Sequence, residues 1–111
     1  MTVSWEDFKK IDLRVGTIVE ANDFPEARKP AYKLRIDFGM EIGIKKSSAQ
    51  ITELYSKKDL MGKKIIAVIN FPPKQIGPFR SECLVLGAFN PKNEVVLLNT
   101  DTAVQNGARI G

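Results

Sequence analysis

The sequence predicts an all-β domain: a five-stranded OB-fold Greek-key barrel with a short helix between strands 3 and 4 and with N- and C-terminal extensions. Three observations predict this fold. Segments in which every second residue is apolar follow one another along the chain. The turns between them are too short for the crossovers of a parallel sheet. The helical segment in the middle of the chain comes between the third and fourth strands, which is the OB-fold order.

Length and charge describe one basic domain. The 111 residues suffice for a single barrel domain, 1–111, in which residues 1–10 form a helical N-terminal extension and residues 90–111 a C-terminal extension. Lys and Arg outnumber Asp and Glu by 17 to 13, which gives a net charge of +4. The excess lies in residues 56–111. It predicts either an acidic partner such as nucleic acid or an ordinary solvated basic face.

The N-terminal extension is predicted to contain a short helix. Ser4 can cap this helix, with Asp7 in the capping-box position. Trp5 and Phe8 are three residues apart and share one face. A helix this short needs a surface on which to dock. Trp5, Phe8 and Val104 are therefore predicted either to cover the barrel of their own chain or to form a homodimer interface.

The first strand begins at Leu13 and loses its alternation after Gly16, which indicates a bulge or a sharp coil at that glycine. A loop bounded by two prolines follows at residues 24–30 and carries Arg28. OB-folds commonly bind ligands with this loop and with the face of strands 2 and 3. Arg28 is therefore a candidate binding residue.

The second strand, at residues 32–38, has the most regular alternation in the chain. Its apolar residues are predicted to enter the core. Lys33 and Arg35 then lie on the opposite face and form a basic ligand face. After a turn at Gly39, the third strand is predicted to follow up to Lys46.

The barrel helix is predicted to begin at Ser47 or Ser48 and to extend to about Tyr55. Lys45 and Lys46 come directly before it. In that position backbone N–H groups, serine hydroxyls and two lysines can face an anion such as a phosphate. The alternative is an ordinary helix cap with solvated lysines.

Three further segments complete the predicted barrel. Strand 4 is the β-branched run of residues 64–71, which two prolines end. The chain from there to Pro78 is predicted to be a loop. The fifth strand spans residues 81–88, and a last short strand at 94–98 precedes a polar tail.

The segment 71–80 combines apolar and basic side chains. An aromatic ring can stack on a base while a cation contacts a phosphate. The same mixture can hold an extended peptide. Phe71 and Phe79 can instead simply close the end of the barrel. The candidate binding residues of this segment are Phe71, Lys74, Ile76, Phe79 and Arg80.

Composition excludes several classes of site. The sequence has no histidine and a single cysteine, Cys83. A Ser-His-Asp triad, a His-ligated zinc site, an intrachain disulfide and a thiolate metal cluster are therefore impossible, and we expect no metal and no cofactor. The sequence has no glycine-rich phosphate loop and no nucleophile elbow, so we do not expect an enzyme.

The sequence also bears on the compartment. It contains neither a signal-peptide pattern nor an apolar run long enough to cross a membrane. The unpaired Cys83 fits a reducing compartment. We therefore expect a cytoplasmic protein without membrane insertion.

The sequence has IDLRVGTI at Ile11–Ile18, NFPP at Asn70–Pro73 and Ser81 at the start of the fifth strand. These positions resemble the tRNA-binding domain family, which includes the C-terminal domain of bacterial methionyl-tRNA synthetases and free-standing tRNA-binding proteins. Within this family the sequence is most similar to the CsaA-like export-related chaperones. That similarity rests on residues 24–28, 41–52, 68–73, 81–87 and 106–111.

The resemblance implies an OB-fold homodimer that binds unfolded or precursor polypeptides for export, has the export machinery as a further partner and retains some affinity for tRNA. Its dimer would be formed largely by the chain extensions. In free-standing tRNA-binding relatives, the loop corresponding to Lys74–Arg80 is rich in Lys and Arg. Here it keeps two cations, which favours apolar peptide over tRNA. The residues predicted to bind peptide or RNA are Phe71, Lys74, Ile76, Phe79, Arg80, Ser81, Lys45, Lys46, Ser48, Arg28, Lys33 and Arg35.

Overall fold

An antiparallel sheet, coiled into a nearly closed barrel, forms the body of the protein. The structure is a computed structural model that describes all of residues 1–111. The sheet order is β3-β2-β1-β4-β7, with β10 beside β1. The predicted fold, an OB-fold barrel with a helix between its third and fourth strands, is confirmed. The elements are α1 (Trp5–Lys9), β1 (Leu13–Asp23), β2 (Tyr32–Asp37), β3 (Ile44–Ala49), α2 (Lys57–Leu60), β4 (Lys64–Val68), β5 (Lys74–Ile76), β6 (Phe79–Ser81), β7 (Leu84–Val85), β8 (Gly87–Phe89), β9 (Val95–Leu97) and β10 (Arg109–Ile110).

The long strand β1 joins the two halves of the sheet because its ends pair with different strands. Leu13–Thr17 pairs with β4, and Thr17–Asp23 pairs with β2. The register shifts just after Ile18, so the bulge lies beyond Gly16, its predicted position. Gly16 has a different role. A Cβ at this position would lie 2.7 Å from Ile36 Cγ2, so close packing inside the barrel requires glycine.

The core is filled mainly by alternating residues of β2 and by the strands beside it. Leu34, Ile36 and Phe38 are completely or almost completely buried, as the alternation predicts. Leu60 of α2 is buried in the same cluster. The intervening residues of β2 face outward and are free to form a surface.

The barrel helix begins later than predicted, and a helix cap at Ser47 or Ser48 is wrong. Both residues lie in β3, which pairs residue by residue with β2. Ser47 is buried, and its hydroxyl donates to Cys83 O at 2.8 Å, so the strand continues through it. The cap of α2 is Ser56, whose Oγ accepts from Asp59 N at 3.1 Å while Asp59 Oδ2 accepts from Ser56 N at 3.0 Å. These hydrogen bonds lower the pKa of Asp59.

The chain after β4 is more divided than predicted. β4 ends at Val68, and the segment expected to be a loop contains the hairpin β5–β6, with Gly77 at φ +55° in its turn. The expected fifth strand is interrupted at Leu86. Leu86 N donates to Ile66 O, whereas Leu86 O accepts from Leu98 N. As a result β7 pairs with β4, and β8 pairs with β9.

The barrel closes through side chains at a junction that we call the seam, where the chain just before β7 crosses β3. Glu82 N donates to Lys46 O at 2.8 Å, and Lys46 N donates to Glu82 Oε1 at 2.9 Å. Ser48 N donates to Ser81 Oγ at 3.1 Å. A carboxylate and a hydroxyl thus supply partners that a continuous backbone ladder would otherwise provide.

The two chain extensions differ in how they are attached. No residue of α1 is buried, and Trp5 is 81% exposed. Phe8 is 37% exposed and Val104 38%, so of the three side chains only Trp5 stands almost entirely away from the barrel. Ser4 does cap α1, with its Oγ accepting from Asp7 N at 3.1 Å. Neither helix of the structure has the length and apolar character needed to span a membrane.

The end of the C-terminal extension is held against the first strand by a segment that we call the clasp, residues 106–110. β10 pairs with the start of β1. Asn106 Oδ1 accepts from Thr17 Oγ1 at 2.7 Å and from Lys64 Nζ at 2.9 Å. Gly107 O accepts from the guanidinium of Arg14 at 2.9 Å. The clasp therefore covers the edge of β1 opposite β4 and is bonded through Asn106 to Lys64 of β4.

Candidate functional site

Two grooves open beside the β5–β6 hairpin, and no residue lines both. The first, of about 230 Å³, is the basic groove, and the second, of about 840 Å³, is the apolar groove. The basic groove lies on the outer face of β1, β2 and β3. The apolar groove lies where the sheet ends, between β3, the seam and the broken strands β7 and β8. The basic groove is lined by Glu20, Asn22, Lys33, Leu34, Arg35, Lys46 and Phe79.

The strand register of the barrel produces the charge of the basic groove. Arg35 stands between Glu20 of β1 and Lys46 of β3 in the ladder. Its Nε lies 3.3 Å from Glu20 Oε2, with both side chains about half exposed. Lys33 stands beside Asn22 in the same way. Three cations therefore meet one carboxylate, and two of the cations, Arg35 and Lys46, lie directly opposite each other, where like charges repel.

Phe79 forms the wall of the basic groove on the hairpin side. Its ring meets that of Phe24 edge to face, with centroids 5.4 Å apart. Lys46 Nζ lies 5.4 Å from the centroid of Phe79, and Lys33 Nζ lies 5.7 Å from that of Phe24. Phe79 is partly buried by these contacts and still lines the groove. It therefore packs against the barrel and remains accessible from the groove.

The apolar groove exposes large side chains to solvent. Phe71 is 48% exposed, Leu84 47% and Phe89 71%. Uncovered apolar side chains grouped in one groove are typical of a surface that binds another molecule. The charges are balanced, because Lys29 and Lys74 face two glutamates, Glu53 and Glu82. The Oε1 of Glu82 is already engaged at the seam.

Cys83 borders the apolar groove but is not a reactive thiol. Burial raises its pKa to about 11, so the thiol is protonated at neutral pH. Its Sγ donates to Lys46 O at 3.7 Å. Cys83 therefore belongs to the packing of the seam.

The structure divides the predicted binding residues into three groups. Arg80 lies on the face of the hairpin opposite Phe79, and Lys45 and Arg28 line neither groove. An anion site at a helix N-terminus formed by Lys45, Lys46 and the two serines is wrong, because no helix begins there. The basic groove contains Lys33, Arg35, Lys46 and Phe79, and the apolar groove contains Phe71, Lys74, Ile76, Ser48 and Ser81.

Sequence reasoning missed several residues of both grooves. Glu20 and Asn22 were not predicted from the sequence because their positions beside Arg35 and Lys33 depend on the strand register. Phe89 lies one residue past the expected end of the fifth strand. Its only sequence signal is an aromatic residue directly before an Asn-Pro turn.

Comparison with known proteins gives one family. A family model described as "Putative tRNA binding domain" matches residues 13–109. The methionine–tRNA ligase of Thermococcus onnurineus (strain NA1) is 39% identical over 108 residues, which make up 97% of this chain and 14% of that protein. The ligases it matches are thus much longer, and the chain spans 14–16% of their length.

Two solved structures are similar over the whole chain. The chaperone CsaA of Bacillus anthracis strain Ames has a TM-score of 0.94 and 50% sequence identity, with 100% of both chains covered. The CsaA chaperone protein of Picrophilus torridus has a TM-score of 0.94 and 56% identity, with 99% of this chain and 100% of that chain covered.

Proposed function

The chain belongs to the tRNA-binding domain family, and on that basis we propose that it is a CsaA-type molecular chaperone that binds unfolded or precursor polypeptides in protein export. The observation that carries this proposal is the apolar groove with its exposed Phe71, Leu84 and Phe89. The similarity to two CsaA structures over the full chain supports it. The proposed activity is binding without catalysis.

The energetics of the apolar groove suit reversible capture of a polypeptide. Burying one large apolar side chain contributes roughly 1.5–3 kcal/mol. Two or three such side chains contribute about 3–9 kcal/mol in total, and the cost of ordering an extended chain reduces that gain, so the binding is weak and reversible. Such binding is strong enough to delay aggregation and weak enough to release the polypeptide.

The edge of the hairpin offers backbone partners to the same ligand. β5 pairs with β6 alone, so its other edge carries unpaired N–H and C=O groups. Lys74 and Ile76 of β5 line the apolar groove. An extended polypeptide can therefore place apolar side chains in the groove and bond its backbone to this edge, a mode that tolerates many sequences.

The assembly and the compartment are further parts of the proposal. We propose a homodimer, in which Trp5, Phe8 and Val104, all exposed in one chain, form the interface. We also propose that the protein works in the cytoplasm, where it meets precursors before the export machinery does. The single protonated thiol of Cys83 is compatible with a reducing compartment.

Polypeptide binding is tested by removing one exposed ring from the apolar groove. We expect Phe89→Ala to weaken binding of a labelled, uncharged, leucine-rich peptide about tenfold, as loss of a contact-making aromatic does. The matched control is Met61→Ala, which removes a side chain that is 52% exposed and lines neither groove. Fluorescence anisotropy measures both variants. Equal affinities for the two variants would reject the apolar groove as the site.

A second candidate function, tRNA binding, is favoured by the basic groove. Opposed like charges such as Arg35 and Lys46 cost stability unless an anion lies between them. A phosphate supplies that anion, and Phe79 offers a ring on which a base can stack. With about three phosphates neutralised, the logarithm of the tRNA association constant should fall with log salt at a slope of about −2 to −3. A flat salt response would reject this function.

A further inference from the structure

The two grooves are neighbours that remain separate. Along β3, Lys46 faces the basic groove and Ser48 the apolar groove. Along β6, Phe79 and Ser81 are divided in the same way. Residues two positions apart in a strand are about 7 Å apart. The grooves are thus adjacent, with a narrow ridge between them.

The ridge is fixed by hydrogen bonds and by ring contacts. On its inner side, Ser48 N donates to Ser81 Oγ, and Lys46 exchanges two hydrogen bonds with Glu82. On its outer side, the ring of Phe79 packs between Phe24 and the Lys46 ammonium group. No part of this wall has to move for either groove to be open, because both are open at the same time in the structure.

The two grooves also select different ligands. The basic groove has an excess of cations and one partly buried ring, that of Phe79, so a polyanion gains most there. The apolar groove has equal numbers of lysines and glutamates, so it offers a polyanion no net attraction. An apolar, uncharged polypeptide gains most by covering Phe71, Leu84 and Phe89.

We propose that the protein binds RNA and polypeptide simultaneously, with the RNA in the basic groove and the polypeptide in the apolar groove. This inference rests on the proposed polypeptide binding and on the second candidate function. It makes the protein an adaptor that holds an unfolded chain next to an RNA, rather than a binder that exchanges one ligand for the other.

The experiment measures RNA affinity with and without a saturating polypeptide. A labelled tRNA transcript is titrated with the protein at about 150 mM salt, near physiological ionic strength. The titration is repeated with the unlabelled, uncharged, leucine-rich peptide at about ten times its own dissociation constant. Separate sites leave the dissociation constant for RNA unchanged within about twofold, whereas a shared site raises it about elevenfold by mass action.

The design excludes two trivial results. An uncharged peptide does not bind the RNA directly. Peptide at ten times its dissociation constant occupies about nine apolar grooves in ten, so in a dimer whose subunits each hold either ligand but not both the dissociation constant for RNA still rises. The supporting result is an unchanged dissociation constant for RNA together with co-sedimentation of protein, tRNA and labelled peptide in one complex. Its absence under the same saturating conditions overturns the inference.

Two groove variants and two matched controls assign each ligand to its groove. Lys33→Gln is expected to weaken RNA binding at least five times more than peptide binding. This loss of RNA affinity is the size expected when about one phosphate contact is removed. Phe89→Ala is expected to do the reverse. The controls are Lys58→Gln, which removes an exposed cation outside both grooves, and Met61→Ala. Equal losses for both ligands in both groove variants would indicate one shared site and overturn the inference.

Failure of the inference differs from failure of the proposed function. If the peptide and the tRNA each bind alone but the peptide raises the dissociation constant for RNA about elevenfold, the inference is wrong and the chaperone function stands. If the tRNA does not bind, the inference is wrong and polypeptide binding is unaffected. If the peptide itself does not bind, both the proposed function and the inference are wrong.

Discussion

The basic groove and the apolar groove share one hairpin but are built in different ways. The basic groove is the outer face of paired strands, and its charges follow from the register of β1, β2 and β3, including the shift just after Ile18. The apolar groove forms where pairing is interrupted, at the seam and at Leu86. The comparison teaches that the barrel carries its charged groove on the paired strands of the sheet and its apolar groove where that pairing is interrupted.

The largest expected effect comes from a change beneath both grooves. We expect Gly16→Ala to lower the free energy of unfolding by about 3 kcal/mol, because the new methyl group would collide with Ile36 and Phe38. Urea denaturation measures the stability loss. Gly43→Ala is the control for a glycine with nothing within 4 Å of the added methyl, although its positive φ adds strain. A Gly16→Ala protein as stable as the wild type would contradict the packing described.

High pH should lower the free energy of unfolding through Cys83, which borders the apolar groove. Its pKa in the folded protein is about 11, against 9.0 when unperturbed, so between these values the folded state keeps a proton that the unfolded state has lost. Stability from this group is complete below pH 9 and is lost as pH rises towards 11, amounting to about 2–3 kcal/mol. The measurement is the unfolding free energy at pH 8.5 and at pH 11, compared with Cys83→Ala. The same pH dependence in both proteins would exclude the thiol as the cause.

A smaller effect, on tRNA affinity, tests the basic groove. Arg35→Gln should weaken tRNA binding about tenfold and reduce the magnitude of its salt slope by about one, as loss of one phosphate contact does. Lys58→Gln removes the same charge from an exposed position on α2 and should keep the wild-type slope. Titrations at several salt concentrations provide both values. An unchanged slope for Arg35→Gln would mean that the RNA lies elsewhere.

The smallest expected effect is a gain in tRNA affinity rather than a loss. Glu20 Oε2 lies 3.3 Å from Arg35 Nε and competes with a phosphate for that cation. Glu20→Gln should therefore strengthen tRNA binding about threefold, on the scale of an exposed ion pair. Glu53→Gln, in the apolar groove, changes the net charge equally and serves as the comparison. Equal gains from the two variants would indicate a general charge effect.

Much of the fold was predictable because it depends on local patterns. The alternation of residues 32–38 gave the buried face of β2 and placed Lys33 and Arg35 outside. The order of strands and helix gave the barrel. The position of the helix was not predictable in the same way, because Ser47 has a partner, Cys83 O, that only the folded barrel brings near.

The apolar groove was harder to predict because it depends on tertiary contacts between strands that are distant in the sequence. The run of residues 81–88 has the alternation of one strand, yet it divides at Leu86 because β4 and β9 compete for its backbone. Phe89 becomes exposed through that division. Phe71, Lys74 and Ile76 could be named as candidates because an aromatic-basic mixture is visible in the sequence alone, and all three line the groove.

The clasp has a consequence for how the chain folds during synthesis. Arg14 and Gly107 are joined across 93 positions, and Thr17 and Asn106 across 89. Closing such long loops is entropically costly, and domains rich in such contacts fold in milliseconds to seconds rather than microseconds. The start of β1 thus keeps an unpaired edge until residues 106–110 have emerged from the ribosome. Until then the barrel is itself an incompletely folded chain with an open strand edge.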